Sequence, residues 1–313
     1  DKVHPRIGIT AKWIWGIYAG MTGTLIVLLV FGGMSVFDSI CHAFTTTSTG
    51  GFSTKQASIE YYHSPYIDYV ISIFMFLSGI NFTLLLLMFN GKIKKFIHDA
   101  ELKFYFWCVS FFTIFIAVWL HQTSSMEIEE AFRKSLFQVI SLQTSTGFAT
   151  ADYMLWPSIL WGCLVIVMII GACAGSTGGG IKVSRVLILF KAIRKELSMM
   201  IHPRMVKKIK MDGHNLSHET LRSTNVYMTA YFIVLFVSLL IVCLDEYDLS
   251  TNFTAVLATL NNIGPGLELV GPTQNFALFS PLSKCVLMFD MLAGRLELFP
   301  MLVILLPSCW KKY

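Results

Sequence analysis

The chain has 313 residues, of which 55% are apolar and 14% charged, and its mean hydropathy is +0.64. Soluble domains carry about a quarter of charged residues, so this composition argues against a water-soluble protein and favours lipid as the solvent. The net charge is +5, and the basic residues lie in blocks between apolar stretches, which argues against nucleic-acid binding. The seven cysteines do not have the spacing of a metal site or of a disulfide framework.

Six long apolar runs predict an all-α polytopic membrane protein. Each run approaches or exceeds the roughly 20 residues that cross a bilayer core. The runs cover residues 11–33, 67–90, 104–120, 156–175, 225–244 and 281–307. The chain begins at Asp1 rather than at a methionine, so we expect further residues upstream.

A shorter segment lies within each successive pair of runs, at residues 34–54, 126–150 and 250–268. Thr47–Gly50 and Thr144–Gly147 both read Thr-Ser-Thr-Gly, and Asn261–Gly264 keeps the glycine. We interpret this pattern as an internal repeat of span, re-entrant helix, glycine turn and span. Ordinary loops between spans are the alternative. The repeat predicts three units at residues 1–103, 104–210 and 211–313.

The lysine and arginine residues predict the orientation of the chain. Only four of these residues lie in the segments that hold the glycine turns: Lys55, Arg133, Lys134 and Lys284. Arg295 falls within a span, and the others lie in the N-terminal arm, residues 91–103, residues 182–224 and the C-terminal tail. Because basic residues concentrate on the cytoplasmic side, the turns are predicted at the outer face.

The glycine turns have the composition of an ion filter. Non-helical backbone at membrane depth is tolerated where it lines a water-filled path, and its carbonyl oxygens can replace the hydration shell of a cation. No carboxylate is present at the turns, which favours potassium over calcium as the transported ion. The candidate ligands, mainly through backbone carbonyls, are Thr47, Ser48, Thr49, Gly50, Thr144, Ser145, Thr146, Gly147, Asn261, Asn262, Ile263 and Gly264.

A glycine-rich stretch, Gly175–Lys182, interrupts what would otherwise be one helix from about residue 156 to 200. Ile181 stands where a phosphate-binding P-loop needs lysine, so that interpretation is disfavoured, whereas a passive helix kink stays open. Arg295 lies about midway along the last run. A charge at that depth is costly, which predicts either a pore-facing position or a structural salt bridge.

Taken together, these motifs resemble the Trk/Ktr/HKT superfamily of potassium transporters, in particular the bacterial Trk membrane subunits, over essentially the whole chain. The resemblance is carried by Gly50–Thr54, Gly147–Thr150, Gly171–Lys182, Leu260–Gly266 and Gly294–Glu297. It implies a pore built from four membrane helix–pore helix–membrane helix units around a pseudo-fourfold axis. It also implies that this chain holds the second, third and fourth units, with the first unit upstream.

The resemblance further implies potassium uptake across the bacterial inner membrane through a gated filter, without enzymatic activity. The implied gate is an intramembrane loop together with an arginine that projects toward the permeation path: Gly175, Ser176, Thr177, Gly178, Gly179, Gly180, Lys182 and Arg295. The implied partners are a cytoplasmic nucleotide-binding regulatory subunit (TrkA-like), which would dock on residues 182–222, and a second copy in a homodimer. From the residues alone, the same segment is equally a solvated helix at the inner membrane surface.

Three other functions stay open at this point. The first is a sodium-permeable relative of the same superfamily, and the second is an alternating-access transporter, which would not need three similar turns. The third is a membrane enzyme, which would need a convergent cluster of reactive side chains. The spans offer only scattered charged residues: Asp68, Asp290, Arg295 and Glu297.

Overall fold

A computed structural model describes residues 7–124, 126–202, 208–296, 298–304 and 307–310. The described residues form thirteen α-helices and one two-stranded hairpin, so the predicted all-α membrane fold is confirmed. The helices are α1 Ile7–Phe31, α2 Val36–Thr47, α3 Pro65–Ser78, α4 Phe82–Phe89, α5 Ile93–His98, α6 Ala100–Ser124, α7 Ile128–Gln143, α8 Ser158–Ile169, α9 Val183–Ile201, α10 His218–Val242, α11 Leu249–Leu260, α12 Pro281–Arg295 and α13 Leu298–Ile304.

Within the described ranges, three helices, α1, α6 and α10, are long and apolar enough to cross a membrane without a break. Each is 25 residues long, which corresponds to about 37 Å of helix. Many of their apolar side chains are exposed, among them Val27, Phe111 and Leu240. Such exposure is expected where lipid is the solvent, because the acyl chains replace the protein interior as the apolar surroundings.

The other three predicted spans are each divided rather than continuous. Helices α3 and α4 meet at an angle of 99° across residues 79–81, where Asn81 caps α4 by accepting the Thr83 N–H. Helices α8 and α9 are separated by residues 170–182, and α12 ends at Arg295 before α13 begins at Leu298. The expected interruption near Gly175 is therefore present, whereas the breaks within residues 67–90 and 281–307 carry too weak a sequence signal to be predicted.

Three short helices, α2, α7 and α11, lie between the spans. Helix α7 packs against α3 and α6, and α11 packs against α10 and α12, so both are largely buried. An ion pair joins α7 to α3, since Arg133 Nη1 lies 2.6 Å from Asp68 Oδ2. These contacts hold the C-terminal ends of the short helices in the interior of the bundle.

The basic segments gather at one end of the bundle. Strands β1 (Lys210–Met211) and β2 (His214–Asn215) form the hairpin, and Lys191 of α9 donates to the Lys210 carbonyl at 2.9 Å. The Asp212 carboxylate accepts the Ala100 N–H at the start of α6. Several charged residues of the sequence argument lie outside the described residues: Lys2, Arg6, Arg204, Lys207, Glu297, Lys311 and Lys312.

Candidate functional site

The three short helices end in the same backbone pattern. The residue after each helix donates its N–H to the carbonyl four residues earlier; these capping residues are Ser48, Thr144 and Asn261. The following residue is left-handed in every case, with φ of 53° at Thr49, 55° at Ser145 and 55° at Asn262. This conformation is uncommon outside glycine, so its repetition shows that the three turns share one structure.

A glycine in the left-handed region closes each turn: Gly51 at φ 66°, Gly147 at φ 82° and Gly264 at φ 99°. The repeated Thr-Ser-Thr-Gly letters align Gly50 with Gly147, but the structure sets the register one residue later. Helix α2 includes Thr47 as its last residue, so the first turn is Ser48–Gly51 rather than Thr47–Gly50. The second turn is Thr144–Gly147 and the third is Asn261–Gly264.

The turns lie side by side, and the glycines of the first and second turns each lie against the next turn. A Cβ atom added to Gly51 would lie 1.7 Å from the Thr146 carbonyl oxygen, and one added to Gly147 would lie 2.0 Å from that of Ile263. At Gly264 no atom of the described residues lies within 4 Å of the same position. The three turns therefore follow one another around a common centre, with an open side after the third turn.

Two cavities flank the turns. The first, which we call the mouth, has a volume of about 400 Å³ and is lined by Gly51, Gly147 and Gly264 together with the segments that follow them. The second, which we call the open side, has a volume of about 950 Å³ and lies between the first and third turns, with Met288 and Arg295 on its wall. Its lining is mainly apolar, as a surface that receives another apolar element would be.

The glycine-rich loop contacts the C-terminal ends of all three short helices on the side opposite the mouth. The Thr177 hydroxyl donates to the Thr47 carbonyl at 3.1 Å, just before the first turn. A Cβ atom on Gly178 would lie 2.9 Å from the Thr144 carbonyl oxygen of the second turn. On Gly179 it would lie 2.6 Å from the Asn261 carbonyl oxygen of the third turn. Only residues without side chains fit there, which explains the run of glycines.

The loop has a closed neck. The Gly171 N–H donates to the Ile181 carbonyl at 2.9 Å, and the Val183 N–H donates to the Ala172 carbonyl at 3.0 Å. The Lys182 ammonium also donates to the Gly178 carbonyl within the loop. These bonds make the loop a compact unit instead of a stretched or passively kinked helix.

The divided helix α3–α4 holds the other edge of the loop. The Cys173 N–H donates to the Gly79 carbonyl at 3.0 Å, and the Phe82 N–H donates to the Gly175 carbonyl at 3.2 Å. These carbonyl and N–H groups lack helical partners because the helix is divided there. The break between α3 and α4 thus creates the docking edge for the loop.

Arg295 links the loop to the first turn. Its guanidinium donates to the Thr177 carbonyl at 2.7 Å and approaches the Ser48 carbonyl at 3.5 Å. The sequence predicts either a pore-facing position or a structural salt bridge for Arg295, and its side chain is exposed on the wall of the open side. As the last residue of α12, Arg295 lies where that helix ends rather than inside a continuous span.

The sequence as a whole matches one known protein family. A family model described as TrkH, a cation transport protein, matches residues 1–311. The chain belongs to the TrkH family. It is 40% identical over 319 residues to the Trk system potassium uptake protein TrkH of Escherichia coli K12, and 32% identical over 312 residues to TrkG of the same organism.

The solved structure of a TrkH relative agrees with this assignment. The crystal structure of the potassium transporter TrkH from Vibrio parahaemolyticus matches with a TM-score of 0.90 at 36% identity, over 99% of this chain and 66% of that chain. The alignments cover 100% of this chain and 65% of E. coli TrkH, and 99% of this chain and 64% of TrkG. The chain thus spans 65% of the length of E. coli TrkH, and the resemblance to the Trk superfamily is confirmed.

Two hydroxyls that the sequence argument missed brace the turns of this TrkH-family chain. Ser141 Oγ donates to the Phe148 carbonyl at 2.6 Å, and Thr45 Oγ1 donates to the Phe52 carbonyl at 2.9 Å. Both residues lie three positions before the capping residue, where α11 has Ala258. The signal that could have found them is this equivalent spacing, which becomes visible only in the corrected register.

The oxygen atoms of the turns are the available ligands for a cation. Among the described residues, no group of three or more His, Cys, Asp or Glu side chains could hold a metal ion. The turns offer backbone carbonyls, and the hydroxyls of Thr49 and Ser145 donate to the preceding carbonyls at 2.7 Å. Neutral oxygens of this kind suit a weakly hydrated monovalent cation better than a divalent one.

Proposed function

We propose that this TrkH-family chain forms three quarters of a potassium-selective pore for uptake of potassium into a bacterial cell. The observation that carries the proposal is the succession of three equivalent turns, in which the glycines of the first two turns each lie against a carbonyl of the next. Such packing fixes the positions of carbonyl oxygens, on which discrimination between monovalent cations depends. The relatives TrkH and TrkG are named potassium uptake proteins, which supports the same ion.

The open side between the third and first turns fits a fourth turn that completes the ring. Gly264 leaves the space that its counterparts Gly51 and Gly147 give to a neighbouring carbonyl. Residues beyond this chain would supply that turn, as the greater length of the TrkH relatives suggests. The three units predicted at residues 1–103, 104–210 and 211–313 are then units two, three and four of the pore. Because α6 begins at Ala100, we move the boundary between the first two of these units to that residue.

We further propose that the loop and Arg295 form the closed gate. The loop lies against the C-terminal ends of all three short helices on the side away from the mouth, so a cation leaving the turns would meet it first. The Arg295 guanidinium adds a positive charge beside the Ser48 carbonyl, where it competes with a permeating cation for the same oxygen. Opening would require the loop to leave the Thr144 and Asn261 carbonyls, which it touches only through glycines.

We place the mouth at the outer face of the bacterial inner membrane. The basic segments of α5, α9 and the hairpin gather at the loop end of the bundle, as a cytoplasmic face requires. Three of the four basic residues expected near the mouth are in ion pairs: Lys55 with Asp38, Arg133 with Asp68, and Lys134 with Glu130. Pairing removes most of the charge that would oppose this orientation.

The loop-side surface of α9 and the hairpin is our proposed docking site for a nucleotide-binding regulatory subunit. Helix α9 presents basic residues such as Arg194 beside exposed apolar ones such as Phe190 and Ile193. It also leads directly from Lys182 at the end of the loop, so a partner bound there acts on the gate over a short path. We expect the transporter to work as a homodimer, as the superfamily resemblance implies.

Replacement of Gly147 by serine tests the filter. A side chain there would displace the Ile263 carbonyl, because a Cβ atom lies 2.0 Å from its oxygen. We expect Gly147→Ser to lower the ratio of potassium to sodium flux in vesicles that contain the transport-competent protein. Gly213→Ser is the matched control: Gly213 has φ of 81°, close to the 82° of Gly147, but no atom in the described part of the chain lies within 4 Å of its Cβ position.

The result decides between the proposed function and its alternatives. An unchanged flux ratio in Gly147→Ser would remove the second turn from the selectivity filter. A parent protein that carries sodium as well as potassium would support the sodium-permeable relative instead. Equal damage in both variants would indicate a general effect of backbone strain.

A further inference from the structure

Glu101 contacts the two ends of the loop region through a single atom. Its Oε1 accepts the Ala174 N–H at 2.6 Å and the Ser184 N–H at 3.1 Å. Ala174 begins the part of the loop that reaches the turns, whereas Ser184 lies in the first turn of α9. One carboxylate oxygen therefore ties the loop to the helix that follows it.

The support beneath Glu101 is rigid. Glu101 lies in the first turn of α6, an unbroken 25-residue span, and is only 7% exposed. One helical turn later, the buried Tyr105 stacks on Phe76 with ring centroids 4.8 Å apart, close to the break after α3. Helix α6 thus holds both the break in α3–α4 and the loop that docks on it.

A carboxylate is well suited to this position. The first N–H groups of a helix have no intrahelical acceptor, and the helix dipole favours negative charge there. Glu101 satisfies such a group of α9 from outside that helix, because Ser184 is its second residue. A displacement of α9 must either break this bond or move Glu101, and with it the Ala174 bond.

We infer that Glu101 is a positioning residue that holds the loop closed and couples its position to α9. This inference rests on the proposed gate function of the loop. Bonds to a charged acceptor are stronger than those between neutral groups, so the closed position is favoured as long as both are formed. Movement of α9, the proposed docking site, would loosen the loop through this one atom.

Two substitutions separate an acceptor role from mere packing. Glu101→Met has nearly the same shape without an acceptor, and we expect it to raise basal potassium flux in vesicles about tenfold, because both bonds are lost. Glu101→Gln keeps an oxygen that can accept both N–H groups but lacks the charge, so its flux should lie between those of the parent and Glu101→Met. Glu219→Met is the matched control, since Glu219 also lies in the first turn of a 25-residue span but is exposed.

A second measurement does not depend on transport. Cys173 precedes Ala174 and is fully buried in the closed loop. We expect a water-soluble thiol reagent to label Cys173 faster in Glu101→Met than in the parent or Glu101→Gln, as read by mass spectrometry of that peptide. If Glu101→Met does not fold, Ser184→Pro removes the N–H and the hydroxyl of Ser184, in the first turn of α9, where proline is tolerated, and leaves the Ala174 bond in place; the same faster labelling is expected.

The outcomes distinguish this inference from the proposed function. A parent protein without potassium flux would refute the proposed function, while the labelling rates would still test the coupling. Labelling and flux that are the same in Glu101→Met and the parent would overturn the inference. A rise in basal potassium flux in Glu101→Gln as large as that in Glu101→Met would overturn it too, because an acceptor oxygen would then contribute nothing to holding the loop closed.

Discussion

Replacement of Gly51 and Gly50 in turn tests the register of the first turn. The aligned letters make Gly50 the counterpart of Gly147, whereas the backbone makes Gly51 the counterpart. Gly51 has φ of 66°, and its Cβ position lies 1.7 Å from the Thr146 carbonyl oxygen. Gly50 does not have a positive φ, and the nearest atom to its Cβ position is the Ser48 hydroxyl oxygen at 3.2 Å.

The expected difference follows from these distances. Alanine at Gly51 pays about 1–2 kcal/mol for the left-handed backbone alone. A Cβ atom essentially never comes within 3.0 Å of a non-bonded heavy atom, so the Thr146 oxygen must move from 1.7 Å by about 1.3 Å. The second turn would lose its geometry as well. Alanine at Gly50 needs only a rotation of the Ser48 side chain.

We expect Gly51→Ala to lower the potassium-to-sodium flux ratio at least about tenfold, a difference of about 1.4 kcal/mol between the two ions. Gly50→Ala should stay within about twofold of the parent. The assay is isotope flux with competing cations in vesicles, with thermal unfolding in detergent to verify that each variant is folded. Equal effects at the two positions would refute the register, and no effect at either would refute a role of the first turn in selection.

Two further predictions concern the gate and the second turn. Arg295→Ala removes the bond to the Thr177 carbonyl and the charge beside it, and should raise basal potassium flux in vesicles. A variant that inserts normally yet conducts no faster would show that the obstruction lies elsewhere. Ser141→Ala leaves the buried Phe148 carbonyl without its donor, which should cost about 1–3 kcal/mol of stability in detergent unfolding. Ser135→Ala on the same helix loses only a bond to the carbonyl four residues earlier and should cost less, so equal losses would contradict the bracing role.

The spacing of apolar runs and glycine turns was sufficient to predict a repeated membrane fold. Length and hydropathy are local properties, so the spans α1, α6 and α10 and the re-entrant position of α2, α7 and α11 follow from them. The glycine-rich loop was also visible, because consecutive glycines disfavour helix wherever they occur. The groups that the loop contacts could not be predicted from the sequence.

The breaks in the second span of the first and third units could not be predicted from the sequence. The runs 67–90 and 281–307 are apolar throughout most of their length, and a single Gly79 or Gly294 is tolerated in many helices. The break in the first becomes favourable because the loop supplies partners for the freed backbone groups, as Cys173 does for the Gly79 carbonyl. Such compensation exists only once the chain is packed.

The sequence by itself determined that this chain is a membrane protein, that one unit is repeated three times, and that the short helix of each unit is followed by a glycine turn. Only the tertiary structure decided the register of the first turn. The identical sequences Thr47–Gly50 and Thr144–Gly147 predict one alignment, but α2 ends one residue later in this alignment than α7 does. The tertiary structure alone also revealed Glu101, a single acid whose partners lie 73 and 83 residues away. Composition and periodicity record what neighbours along the chain share, whereas a contact across that separation depends on how the helices pack.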